Sequence, residues 1–339
     1  MKAGGLRDRL ADFLARGHLL GPLGRLWHAF NDGVVILAYH RVVDMGREEA
    51  YPGDPELVTA TPEVFDTQMA ELRRYYQPVP LDEVWRRWSR GQRLPRRAVA
   101  VTFDDGFADN ATEALPLLQR HGIPATIFVS SGYVGQQGTF WFEDLVRRIR
   151  RSPAPVLEVA GEGWPLGSDD QRRRAAGAAL GYLKRIPEVE RRRQIEEWQG
   201  VLGQAPAPEP AARPLTREQI RGLVAGGVAI GSHSVSHPVL TACSDGELRR
   251  ELIDSRRDLE ALTGAPVTTL SYPVGGHQAH DERVRAAARE AGYRLACAYV
   301  SGFNRRRDSD LFALRRQRVE RYLAPARFSA MVACPEVFR

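Results

Sequence analysis

Two carboxylates stand side by side at Asp104-Asp105, directly after the apolar run Ala98–Phe103, and two histidines stand four apart at His233 and His237, directly after Val228–Ser232. If the backbone turns helical there, histidines at that spacing share one face and can grip one ion. Two imidazoles and one carboxylate make three ligands for a divalent cation, leaving a position open for water or substrate, and the other carboxylate is then free to act as a base. That is the equipment for metal-assisted hydrolysis of an amide or ester. Each piece also has a plainer reading: Asp104-Asp105-Gly106 suits a turn, and a histidine pair suits core packing. With no carboxylate between the two histidines, the pair is not the His-Glu-x-x-His of zinc proteases. Two further places end apolar runs in polar residues. Leu270-Ser-Tyr-Pro273-Val-Gly275-Gly276-His277 breaks into Pro and Gly, which lets a backbone amide approach a ligand or simply makes a turn. Tyr39-His40-Arg41 follows Val34–Tyr39, where His40 has the plain alternative of a buried structural histidine.

These residues need elements that hold them, and short β-like runs alternating with helical patterns supply βα units. The expected strands are Val34–Tyr39, Ala98–Phe103, Ala125–Ser130, Val228–Ser232, Val267–Tyr272 and Arg294–Val300. In such folds, side chains at the C-terminal strand ends face the ligand crevice, where all four polar clusters fall. Thr216 with Gln219 and Ser244 with Glu247 suit capping boxes, and Gly264 suits a helix stop. From about 141 to 214 the pattern changes to charged helices, with Val156–Val159 the one candidate strand, and ends in a proline- and alanine-rich run that reads as an extended linker. This stretch is read as an insertion on a main domain spanning 34–339, preceded by an amphipathic helical segment over 1–33 on which Leu6, Leu10, Phe13 and Leu14 recur at helical spacing.

The 339 residues are 43% hydrophobic and 27% charged, which excludes a disordered tail or a fibre. No apolar run approaches the roughly 20 residues of a membrane span, and the N-terminus lacks the apolar core of a signal peptide. Three widely spaced cysteines cannot all pair, which fits a reducing compartment, so a cytoplasmic location is expected. The net charge of +6 is carried almost wholly by arginine, Lys2 and Lys184 being the lysines. The runs 147–151, 172–174 and 191–193 read first as solvated helix faces. Together with the N-terminal helix they offer peripheral membrane contact as the sharper reading. Nucleic acid is not expected, because the presumed cleft is acidic.

Thr102-Phe-Asp-Asp-Gly106 resembles the first motif of the polysaccharide deacetylases (the NodB homology domain, carbohydrate esterase family four), and His233-Ser-Val-Ser-His237 the second. Tyr272-Pro-Val-Gly275 resembles the third, and Tyr39-His-Arg-Val42 the lead-in strand of many bacterial members. Order and spacing agree from about 34 to 320. The resemblance implies an α/β fold, a distorted (β/α) barrel of the NodB type with a helical insertion, and removal of N-acetyl groups from an amino-sugar polymer or its precursor. It implies Asp104 as general base and Asp105, His233 and His237 as ligands of one divalent ion, zinc above all, with cobalt, nickel or manganese tolerated. The Val274 amide is expected to receive the oxyanion, with Tyr272 beside it. Trp141-Phe-Glu-Asp144 resembles a variant in deacetylases of bacterial exopolysaccharide production, where Trp141 would stack on a sugar or be buried as an ordinary helix start.

Two departures from the family pattern bear on mechanism. Ser271 stands where many members carry an arginine, so an arginine of Leu314–Val319 is expected to orient the base. The late Leu-x-His motif that supplies the general acid is not visible after Tyr299, which leaves His40, His277 and His280 to donate a proton, His40 and His277 as equal candidates and water or another group as the remaining alternative. The gaps keep two alternatives open: hydrolysis of another non-peptide carbon–nitrogen bond, and a glycan-binding protein that has lost turnover.

Overall fold

The computed structural model describes residues 6–16, 19, 21–24, 27, 31–48 and 50–338. Its strands are β1 (Gly33–Tyr39), β2 (Arg41–Val42), β3 (Val58–Ala60), β4 (Gln77–Pro78), β5 (Ala98–Phe103), β6 (Ala125–Val129), β7 (Val156–Val159), β8 (Glu162–Pro165), β9 (Ala229–Ser232), β10 (Thr269–Ser271), β11 (Leu295–Cys297), β12 (Asn304–Arg305) and β13 (Gln317–Arg318). Its helices are α1 (Leu6–Arg16), α2 (Pro62–Tyr75), α3 (Leu81–Trp88), α4 (Leu115–His121), α5 (Trp141–Arg151), α6 (Asp169–Leu183), α7 (Glu188–Leu202), α8 (Arg217–Ala225), α9 (Asp245–Thr263), α10 (Glu282–Glu290) and α11 (Pro325–Ala333).

The main sheet runs β11-β10-β9-β6-β5-β1-β12, and every pair from β11 to β1 is parallel. β13 pairs with β1, while the residues just before it bridge Cys297 through Leu314, so one segment spans the gap between β11 and β1 and curls the sheet into a distorted barrel. All six expected strands are present, and the two capping boxes and the left-handed Gly264 stop stand where the sequence puts them. β2 falls in the lead-in stretch Tyr39–Val42 and β13 in the expected strand Leu314–Val319, whereas the short β3, β4 and β12, at two or three residues, carry no readable alternation.

Period-2 alternation sorts the strand residues into two layers. Val35, Leu37, Tyr39, Val99, Val101 and Phe103 pack outward under the helices, while Val34, Ile36, Ala98, Ala100, Phe128, Leu295 and Cys297 fill the barrel interior above Leu81 and Val84 of α3. Burying a side chain of Val or Ile size stabilises by roughly 1.5–3 kcal/mol, so a register slip that exchanged the layers would be costly.

Residues 141–214 form a lobe with its own core: Leu145, Ile149, Leu157, Ala179, Leu183, Trp198 and Leu202 are all buried within it. Val156–Val159 is indeed a strand, and it makes an antiparallel hairpin with β8. The proline-rich run is not a free linker. Ala212 is buried and accepts from Thr139, Pro214 bridges Phe107, and Glu209 pairs with Arg147.

At the N-terminus, Ala11 is buried and Leu14 and Ala15 pack on the core, where α1 meets α11. The expected apolar stripe is split, because Leu10 is 40% and Phe13 67% exposed. The Leu6 side chain and much of 17–30 lie outside the described residues. Among the described residues no helix is long and apolar enough to cross a membrane.

Candidate active site

The strand parity that buries Val34, Ile36, Ala98, Ala100, Leu295 and Cys297 inside the barrel carries on past the strand ends. Counting by twos brings His40, Thr102 with Asp104, and Tyr299 onto the inner face. On β9 and β10, where Ile230 and Leu270 face outward, the same count turns His233 and Ser271 inward. Of these, His40, Asp104, His233 and Tyr299 line a cavity of about 210 Å³ with Asp105, His237, Tyr272 and Val274, and with Trp141, Phe142, Leu180 and Lys184 on the insertion side.

Asp105, His233 and His237 present ligand atoms within 4.8 Å of one another. His233 Nδ1 lies 2.7 Å from the Ser271 carbonyl, which assigns a hydrogen to that nitrogen and turns Nε2 toward Asp105. That Nε2 is 3.4 Å, and His237 Nε2 3.3 Å, from Asp105 Oδ1. Asp105 Oδ2 and His237 Nδ1 are buried without a partner among the described residues. Three ligand atoms converging in this way fit a cation, and the carboxylate–diimidazole donor set suits zinc and its neighbours. Burial would raise Asp105, but hydrogen bonding with His233 and His237 holds it far below the carboxylate range. Burial takes His237 down to about 4, against the pull of Asp105, so it is neutral as a ligand must be. Burial also opposes charge on His233, but Asp104 and then Asp105 outweigh it and raise its pKa.

Asp104 is clamped by Arg316, whose Nη1 and Nη2 donate to its two oxygens at 2.7 Å each. Arg316 is fully buried and uses all five donors, the others reaching the Ala298 carbonyl, Thr102 Oγ1 and Ser271 Oγ. The guanidinium thus reaches both Asp104 and the hydroxyl of Ser271 from the Leu314–Val319 segment, where the sequence leads one to expect an arginine beside Asp104. Burial would raise Asp104, but Arg316 and then His233 overcome it and hold the carboxylate ionised.

The backbone is strained at this site. Asp105, Ser234, His237 and Val274 all have φ between 56° and 70°, a conformation costly for any residue with a Cβ and most of all for a β-branched one. Val274 lines the cavity, and its N–H donates to no group among the described residues. Gly275 beside it has φ 64° and lies so close to Tyr299 that an added Cβ would sit 2.4 Å from that residue's Cβ. No other residue fits there.

His40 shares the cavity with Asp104, and the two other proton-donor candidates do not. His277 and His280 line a separate cleft with Arg285, Arg305 and Arg315. The His40 main chain is held by Asn110 Nδ2 on its carbonyl at 2.8 Å, its ring lies edge-on to Tyr299, and its Nδ1 is buried without a partner among the described residues. Tyr272 lines the cavity and donates its hydroxyl to the Phe312 carbonyl at 2.8 Å. Trp141 reaches the site through the His237 carbonyl, to which its Nε1 donates at 3.1 Å, and Arg191 covers one face of its indole.

The arginine runs are not uniformly solvated. Arg147 and Arg191 are buried, paired with Glu209 and Glu188. Residue type alone gave no sign of this. The visible cue is a Glu three positions before Arg191, an i,i+3 pair that occurs equally on solvated helices. Glu251 also went unnoticed; it accepts the N–H groups of Val235 and Ser236 and so braces the loop between the two histidines.

The family model described as polysaccharide deacetylase matches residues 91–296. The protein YxkH of Bacillus subtilis (strain 168) is 21% identical over 257 residues, 76% of this chain and 64% of that one. The poly-beta-1,6-N-acetyl-D-glucosamine N-deacetylase of Escherichia coli (strain K12) is 30% identical over 96 residues, 28% of this chain and 13% of that one. Less than two thirds of each relative's length is therefore spanned. Among solved structures, the Streptococcus pyogenes deacetylase PplD in complex with acetate superposes with a TM-score of 0.59 at 20% identity, covering 87% of this chain and 96% of that one. IcaB from Ammonifex degensii gives 0.55 at 20% identity, covering 89% and 96%.

Proposed function

Because the chain belongs to the polysaccharide deacetylase family, we propose that it is a hydrolase that removes N-acetyl groups from an amino-sugar glycan or its precursor, using one divalent ion, zinc first, held by Asp105, His233 and His237. The observation that carries this reading is the intact hydrolytic set in one cavity: three converging ligand atoms beside a carboxylate locked by Arg316. A divalent ion there supplies Lewis-acid polarisation of the acetamide carbonyl and acidifies a water. Asp104, ionised and fixed at both oxygens, takes the proton from the attacking water as the new carbon–oxygen bond forms. The Val274 N–H receives the developing oxyanion. His40 gives a proton to the sugar nitrogen as the carbon–nitrogen bond breaks, so that acetate and a free amine leave.

The Arg316 clamp weighs against a binding protein that has lost turnover, since the arginine gap behind that idea is filled from another strand. The similarity to the E. coli poly-beta-1,6-N-acetyl-D-glucosamine N-deacetylase favours an N-acetylglucosamine polymer as the substrate class, and we place the activity in exopolysaccharide production, in the cytoplasm or at a membrane surface. Exposed Leu10 and Phe13 on the arginine-bearing α1 favour peripheral membrane contact. Absence of co-sedimentation of the wild-type protein with anionic vesicles would sink that contact, and co-sedimentation that survives Phe13→Ser would take it away from α1.

The deciding experiment is acetate release from N-acetylated oligosaccharides by zinc-reconstituted protein. Asp104→Asn is expected to lose at least about 100-fold in kcat while keeping its metal, and His233→Ala to lose metal and activity together. Full activity in Asp104→Asn would remove the base from the mechanism.

A further inference from the structure

The loop Ser234–His237 leaves the barrel and bends back, and its main-chain polar groups are met from two sides. From the barrel, Glu251 of α9 takes the Val235 and Ser236 N–H groups at 2.8 and 2.9 Å, and Ser131 and Gly132 donate to the Ser234 and Val235 carbonyls. From the insertion, two donors converge on one atom: the His237 carbonyl accepts Trp141 Nε1 at 3.1 Å and Arg191 Nη1 at 3.2 Å. His237 has φ 56°, a left-handed conformation that a histidine holds only when its surroundings over-determine it. Arg191 is itself fixed, 3% exposed, paired with the buried Glu188 and lying 4.3 Å over the Trp141 ring. Phe142 packs on the His237 ring with centroids 4.7 Å apart.

We propose that Trp141 and Arg191 are positioning residues for the metal centre: by pinning the His237 carbonyl they hold its imidazole aimed at Asp105, so the insertion is a working part of the ligand cage. The inference rests on the proposed metal-dependent function. It also gives the Trp141 indole a task other than sugar stacking, since one face lies under Arg191 and its N–H is spent on His237.

The test is zinc affinity, measured on metal-free protein by competition with a chromophoric chelator, for wild type, Trp141→Phe, Arg191→Met and the double variant. Each single variant is expected to bind zinc about 10-fold more weakly and the double variant about 100-fold, in the range of lost outer hydrogen bonds at metal sites. Trp141→Phe keeps an aromatic ring beside Arg191 but removes the N–H and the pyrrole half of the indole, so its metal-free melting temperature is measured alongside, and a loss of zinc affinity beyond any loss of stability, with kcat at saturating zinc falling and KM unchanged, is the expected result. Should Arg191→Met fail to fold for want of a partner for Glu188, Trp141→Phe alone decides. Wild-type zinc affinity in Trp141→Phe would overturn the inference and leave the functional reading standing. A wild type that binds no zinc would overturn that reading and the inference with it.

Discussion

The floor of the cavity and the wall that the insertion puts over it both bury carboxylates, and they treat them in opposite ways. On the floor, Asp104 and Asp105 are held below the ordinary carboxylate range, Asp104 by the Arg316 fork and Asp105 by two imidazoles, each against the effect of burial. On the wall, Glu143 of α5 is fully buried, with one oxygen on the Asp54 N–H and the other without a hydrogen bond among the described residues, 3.9 Å from Arg147 Nη1, and burial pushes it up to about 7. The same physical cost, desolvation, is overcome where the proposed chemistry needs charge and left standing at Glu143, whose hydrogen bond ties a loop in place. The floor works as electrostatics, the wall as scaffolding.

The largest effect expected from breaking this contrast is at Arg316. Arg316→Met strips the clamp and leaves Asp104 buried and uncompensated, which costs about 3–5 kcal/mol of stability and about 100-fold in kcat through a misplaced base. Arg316→Lys should restore little, because one ammonium cannot hold both oxygens in a fixed fork. Denaturant melts and acetate release on the two variants check this. A wild-type kcat in Arg316→Met would mean that the floor does not depend on its arginine.

The floor was also the legible half. Apolar strands ending in Asp104-Asp105 and in His233 show themselves because strand parity and strand-end position are local properties of the chain. Even Arg316 could be anticipated as one of the arginines of Leu314–Val319, since a vacant partner for the base demanded one. Which arginine it would be depends on how that segment bridges β11 and β1, a tertiary fact. The wall was not legible: Arg147 and Arg191 sit in charged helical runs identical in pattern to solvated ones, and only the packing of the lobe against the barrel buries them. His40 and His277 could not be separated either, because what distinguishes them is the cavity each lines.

The second way to sharpen the contrast is by pH. Glu143 has a folded-state pKa raised from 4.5 to about 7, so the folded protein holds that proton more tightly than the unfolded chain. Its stabilising contribution is fully present below about 4.5 and is lost as pH rises through 7, an upper bound of about 3 kcal/mol. Glu143→Gln should remove this component, so that the variant gains on wild type in urea midpoints taken from pH 5 to pH 8. Asp104 has the opposite sign. Its contribution is present above the ordinary carboxylate value and fades as pH falls through the depressed one. A Glu143→Gln stability difference that is flat across that window would place the charged form in the fold and erase the distinction between floor and wall.

The smallest effect is the most local. Arg191, Arg192 and Arg193 are consecutive on α7, but their side chains are 4%, 57% and 75% exposed, and Arg193 has only a 3.8 Å approach to Glu197. An exposed i,i+4 pair at that distance contributes at most a few tenths of a kcal/mol and is screened by salt. Arg193→Ala should therefore shift stability by less than about 0.5 kcal/mol and leave zinc affinity and kcat unchanged, two positions from a residue whose loss is expected to weaken the metal centre. Residue type and helix are the same at both positions, so any difference between them belongs to burial and to the His237 carbonyl. If Arg193→Ala weakened zinc binding as much as Arg191→Met, the effect would follow from the net charge of the helix, and the contact with His237 would lose its claim to be the cause.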